Sequence, residues 1–156
     1  MRILVCLSLF LMSSAQAETN VAFPPDYRQW THVKSMLIEP GHALYEAFGG
    51  LHHLYANATA MQGYRRGGTF PEGSVIAFDL LAAQSGGHSV IEGERKVLGL
   101  MKKDSKRFVE TGGWGFEAYA GGDPNRPLVG DKAAQACYAC HTAREQNDFV
   151  FSSWRD

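Results

Sequence analysis

The chain has 156 residues, 45% of them hydrophobic, with 15 basic residues against 16 acidic ones and a formal net charge of −1. That length supports one domain with a real core. The near balance of charge gives no electrostatic reason to expect nucleic acid or an anionic surface as partner.

Residues 1–17 read as a secretory signal: Arg2 supplies the positive start, Ile3 to Met12 the apolar core, and Ala15-Gln16-Ala17 a small-residue cleavage site. The apolar run is too short to span a bilayer, so the expectation is export to the periplasm, no membrane anchor, and one domain over residues 18–156. Cys6 leaves with the signal, and only two of the three cysteines remain, which leaves no spare thiol for a disulfide framework.

Pro24-Pro25 discourages helix, and Asp26 to Trp30 predicts one helical turn before a strand over Thr31–Ile38, whose residues are β-branched and alternating. Glu39-Pro40-Gly41-His42 breaks that strand, and Ala43 to Phe48 predicts a second short helical turn. Leu51 to Ala56 reads as another strand. Asn57 then caps a helix that runs through Tyr64 and stops at Arg65-Arg66-Gly67-Gly68. Phe70-Pro71-Glu72-Gly73 is a turn, and Ser74 to Leu81, the most apolar segment of the mature chain, predicts a central strand. Gln84 to His88 predicts a hairpin connection to a long outer strand, Ser89 to Met101. The polar run Lys102 to Phe108 reads as solvated surface, with docking of a redox partner protein as its functional alternative. Gly112 to Ala120 alternates aromatic and small residues as a half-buried strand does, and 121–127 is a loop.

Cys137-Tyr138-Ala139-Cys140-His141 follows. In such a C-x-x-C-H run the two thiols add to haem vinyl groups as thioethers and the imidazole ligates the iron. A helix opened by residues 130–134, with Asp131 as cap, puts Cys137, Cys140 and His141 on one face at i, i+3 and i+4. A zinc site lacks further ligands in sequence, and a redox dithiol gives His141 no role. The expected cofactor is therefore one covalent haem c, held by Cys137 and Cys140 with His141 as axial ligand. About five strands around one haem-bearing helix make the fold class α+β, mainly an antiparallel sheet with a few helices.

Tyr27-Arg28-Gln29-Trp30, Phe70-Pro71-Glu72-Gly73-Ser74, Trp114-Gly115-Phe116 and the C-terminal haem motif together resemble the cytochrome P-460 family, and within it the β-sheet cytochromes called cytochrome c′-beta. The resemblance implies a homodimer, a His-ligated haem and an open distal position. P-460 enzymes carry a lysine on the central strand that is crosslinked to the haem and accompanies hydroxylamine oxidation. By spacing, that position here is Phe78, which has no amine and instead matches the aromatic distal cap of cytochrome c′-beta. Phe48 aligns as the second wall. Lys34 and Lys96 are the strand lysines left to make a crosslink, and both read as exposed charges.

No local motif selects a sixth ligand among Met36, Met61, Met101, His32, His42, His52, His53 and His88; the ordinary roles are core filling for the methionines and surface or strand positions for the histidines. His52 and His53, adjacent on a strand, point to opposite faces and do not share one ion. The function expected is binding of small diatomic gases, nitric oxide and carbon monoxide, in an apolar pocket without acid or base. Two alternatives stand beside it. One is a P-460-like oxidoreductase on hydroxylamine or nitric oxide, recruiting Glu117 and Arg65 or Arg66, whose ordinary roles are a solvated strand face and a helix end. The other is an electron-transfer cytochrome with methionine as sixth ligand.

Overall fold

A computed structural model describes residues 21–155. The signal segment 1–17 and Cys6 lie outside these residues. A turn of 3-10 helix, Tyr27–Gln29, leads into β1 (Thr31–Ile38). There follow α1 (Tyr45–Phe48), β2 (Gly50–Ala56), α2 (Ala58–Arg66), β3 (Val75–Gly86), β4 (Ser89–Lys103) and β5 (Trp114–Ala120). The strands form one antiparallel sheet in the order β1-β2-β3-β4-β5, a meander in which each strand pairs with its successor. The α+β fold expected from the sequence is the one observed. β3 is central, whereas β4 lies inside the sheet, between β3 and β5, and is not an outer strand.

Local chemistry accounts for most element ends. The Asn57 side chain accepts from the Ala60 backbone N–H at 2.8 Å and so caps α2, and Gly67 closes the helix in the left-handed conformation. β3 runs into the predicted hairpin connection as far as Gly86, so the loop shrinks to Gly87 and His88, with φ of 56° and 60°. A two-residue turn with both φ values positive matches the twist of the flanking strands.

Each face of the sheet carries its own core. On one face lie Val21, Tyr27, Ala77, Leu98, Leu100 and Tyr119. There Asp79, fully buried, accepts from Arg95 Nε at 2.6 Å and from the Tyr27 hydroxyl at 2.8 Å. Burial and the hydrogen bond to Asp79 hold the Tyr27 hydroxyl above its ordinary pKa. The other face packs Ala56, Ile76, Trp114 and Phe116 against Ala60, Met61 and Tyr64 of α2, with Cys137 and Tyr138 along the margin. This second face bears the candidate site.

Glu117 departs from the expectation of a solvated strand face, being only 2% exposed. Its Oε1 accepts from the N–H of Val129 at 2.9 Å, and its Oε2 from that of Gly130 at 3.3 Å. It therefore satisfies donors at the opening of the C-terminal helical segment. Asp131 sits inside the first 3-10 turn, Gly130–Lys132, and makes no side-chain cap there. Glu117→Ala removes the acceptor of the buried Val129 N–H and one acceptor of the part-buried Gly130 N–H, at about 1–3 kcal/mol for a buried donor left unpaired. Urea unfolding is expected to show a loss of roughly 3 kcal/mol, and Glu117→Gln, which keeps one acceptor oxygen, a smaller one.

Candidate functional site

The C-terminal helical segment spans 130–147 and changes pitch along its length. The 3-10 turn is followed by a π-helical stretch, Ala134–Tyr138, then α3 (Ala139–His141), then 3-10 turns over Thr142–Asn147. The π stretch carries Cys137 and α3 carries Cys140 and His141, so the three side chains of the motif stay within about one turn of each other. Cys137 is half-buried and Cys140 exposed, and neither is in a disulfide. Burial, with the nearby Glu117 carboxylate and Cys140, pushes the Cys137 thiol above its ordinary pKa.

The His141 ring is fixed on several sides. Its Nδ1 lies 2.6 Å from the Phe149 carbonyl oxygen. A carbonyl only accepts, so Nδ1 carries the proton and Nε2 is left as the free lone pair. Phe116 and Phe151 flank the ring at centroid distances of 5.0 and 5.1 Å. Burial lowers the imidazole pKa, with the hydrogen bond to Phe149 opposing it. A neutral imidazole whose second nitrogen is tied to a carbonyl is the usual state of a metal-ligating histidine.

The sheet beneath supplies the remaining wall. Ile76, Met101 and Phe116 share one cross-strand row, and Leu54, Phe78, Gly99 and Ala118 form the next row along. Phe78 and Phe116 thus project from the same face, two strands and one row apart, a separation of about 12 Å. Gly99, beside Phe78 on the neighbouring strand, carries no side chain, and the Phe78 ring packs over it. Phe48, at the end of α1, meets Phe78 edge to face at 5.8 Å and 83°. The sequence-predicted residues therefore fall on one face of the sheet: Cys137, Cys140 and His141 on the helical segment, with Phe78 and Phe48 as an aromatic pair. Phe48 and Phe151 stay 40% and 49% exposed, an apolar rim suited to a flat apolar ring. With two thiols, a prepared imidazole and this rim, the residues fit a haem.

The other candidates are dispersed. Met61 is core, Met101 is partly buried beside it, and Met36 is exposed on β1. His32, His42 and His88 are exposed. Lys34 reaches Ser153 Oγ at 3.3 Å and Lys96 reaches the Gly49 carbonyl at 2.7 Å; both are exposed, as expected. Arg65 and Arg66 sit exposed in the last turn of α2, away from the motif in sequence and on a helix end as read.

His52 is the residue that sequence reasoning undervalued. His53 turns to the opposite face, where its Nδ1 meets Ser35 Oγ at 2.6 Å, but His52 lies on the Phe78 face and is 4% exposed. Its ring tilts against Phe78 at 4.6 Å, and its Nδ1 is buried with no hydrogen-bond partner among the described residues. The wall around Phe78 is therefore not wholly apolar, as had been expected. The only available signal was the two-residue alternation that puts His52 and Leu54 on one face.

Burial, followed by repulsion from His53, lowers the His52 pKa from 6.5 to about 4. Between those values the unfolded chain binds the proton more readily, so stability falls as pH drops from 6.5 towards 4, by about 3 kcal/mol in total. His52→Phe is expected to remove that part of the acid slope. Urea unfolding of both proteins at pH 7.5 and 4.5 checks this, and equal slopes contradict it.

No curated protein matches the chain at a significant level. The family model for cytochrome P460 matches residues 24–152, from before the first helical turn to beyond the His141 loop. With that match over most of its length, and with a strand meander that sets an aromatic wall beside a C-x-x-C-H helix, the chain belongs to the cytochrome P460 family of haem cytochromes.

Proposed function

We propose that this chain is an exported, periplasmic mono-haem c-type cytochrome that binds small diatomic gases, nitric oxide and carbon monoxide, in nitric oxide binding or detoxification. Cys137 and Cys140 would hold the haem as thioethers, and Nε2 of His141 would ligate its iron. When bound, the haem supplies the iron on which a gas is held. Phe78 and Phe48 would cover the side away from His141 without supplying a ligand, with a homodimer as the expected assembly.

The observation that carries this reading is the edge-to-face pair of Phe48 and Phe78 on the sheet face that packs against the haem motif. Neither ring donates a hydrogen bond or ligates iron, so the pair excludes water and large substrates while admitting weakly polar diatomics. Met61 is buried in the core under α2 and Met101 packs against that cluster, which weighs against either as sixth ligand of a closed electron-transfer site. Phe78 has no amine to crosslink, which weighs against hydroxylamine oxidation of the P-460 kind.

Anaerobic titration of the ferrous protein with nitric oxide tests the reading. One equivalent bound per haem, with a new absorption spectrum, supports it. A spectrum indifferent to nitric oxide contradicts it.

A further inference from the structure

The turn that follows the haem motif is strained and heavily braced. Asp148 and Phe149, neither of them glycine, take φ of 49° and 64° in succession. L-residues adopt this left-handed region only when their surroundings impose it. Here the Asp148 and Phe149 backbone N–H groups donate to the Glu145 and Arg144 carbonyls at 3.0 and 2.8 Å. The Phe149 ring packs directly on Gly112, leaving no room there for a Cβ, and beside Tyr138 at 5.2 Å.

The strongest brace comes from the end of β4. Lys103, 6% exposed, brings its Nζ to 2.6 Å from Asp148 Oδ1 and 5.1 Å from the centre of the Trp114 ring. It also reaches the Gly112 carbonyl at 3.4 Å. The other carboxylate oxygen, Oδ2, accepts from the Phe70 N–H at 2.8 Å. Both oxygens of Asp148 are thus tied to the sheet side of the molecule. The carbonyl that follows, that of Phe149, is the one that accepts from His141 Nδ1.

We propose that Lys103 and Asp148 are positioning residues for His141: their buried ion pair holds the strained turn that aims the Phe149 carbonyl at the imidazole Nδ1. The inference rests on His141 as axial ligand. A fixed acceptor on the far nitrogen sets which nitrogen faces the iron and makes it a stronger donor. A stronger donor favours the ferric state, so the pair keeps the reduction potential low.

The test uses the full-length haem-loaded protein and reads the iron–histidine stretch of the ferrous form by resonance Raman together with the midpoint potential. Asp148→Asn keeps the size and a residue that tolerates left-handed backbone while removing the charge. The double variant Lys103→Met with Asp148→Leu replaces the pair by apolar volume, a change that buried pairs often accept without unfolding. Both are expected to lower the stretching frequency and raise the potential, the double variant more, while Lys103→Arg stays near the parent. Unchanged stretch and potential in the folded variants overturn the proposal. His141→Ala separates the two layers of the argument. If it abolishes the band while the Lys103 and Asp148 variants keep it intact, only the positioning role fails. If the band survives His141→Ala, the axial assignment fails and the positioning role with it.

Discussion

Phe78→Ala is expected to raise the association rate of carbon monoxide with the ferrous protein by on the order of tenfold. The Phe78 ring is held between Phe48 at 5.8 Å and His52 at 4.6 Å. Aromatic pairs of this kind contribute about 0.5–1.5 kcal/mol each beyond their burial, so moving the ring aside to admit a gas costs on that scale. Truncation removes the cost, and about 1.4 kcal/mol corresponds to tenfold in rate. Stopped-flow mixing with carbon monoxide measures it. Phe48→Ala is expected to give a smaller change in the same direction, because that ring contacts Phe78 from an exposed position. Association kinetics unchanged in Phe78→Ala contradict its place over the iron.

His141→Ala carries the largest expected effect on the haem itself. Cys137 and Cys140 remain, so the haem stays covalently attached and still stains on a denaturing gel. The axial bond is lost, however, and the native ferrous spectrum with it. The hole is lined by Phe116, Phe151 and the Phe149 carbonyl, which presents an acceptor to any imidazole that enters. Added imidazole is therefore expected to restore much of the parent spectrum. Retention of that spectrum without imidazole contradicts the assignment of His141.

Much of the fold was legible in the sequence because its punctuation is local. The β-branched run of residues 31–38, the Asn57 cap and the aromatic alternation of residues 114–120 each announce an element through nearest neighbours. The far half of β3 did not. Ala82 to Gly86 has weak strand preference, and it is held extended by pairing with residues 89–92 across the hairpin. Glu117 looked like an outward charge because alternation says nothing of what covers an edge strand. Leu128 bonds back to Ala118, and this return of the chain closes over the carboxylate.

The same division holds at the site. Cys137, Cys140 and His141 were singled out from spacing alone, and Phe78 and Phe48 from family resemblance. His52 and the pair of Lys103 with Asp148 were not. Lys103 ends a strand in a run of charges that reads as solvated surface, and Asp148 lies 45 residues away, so nothing local marks the two as partners. Contacts of that separation are set by tertiary packing, where burial decides the role of a charge.

The absorption spectrum of the purified ferrous protein, recorded before and after carbon monoxide is added, decides whether the iron is open to gases. A five-coordinate, high-spin spectrum that converts on addition of the gas is the predicted result. A low-spin spectrum indifferent to carbon monoxide contradicts the open site and makes electron transfer the leading function, whereas a strongly red-shifted Soret band points to a lysine crosslink and to oxidation of the P-460 kind.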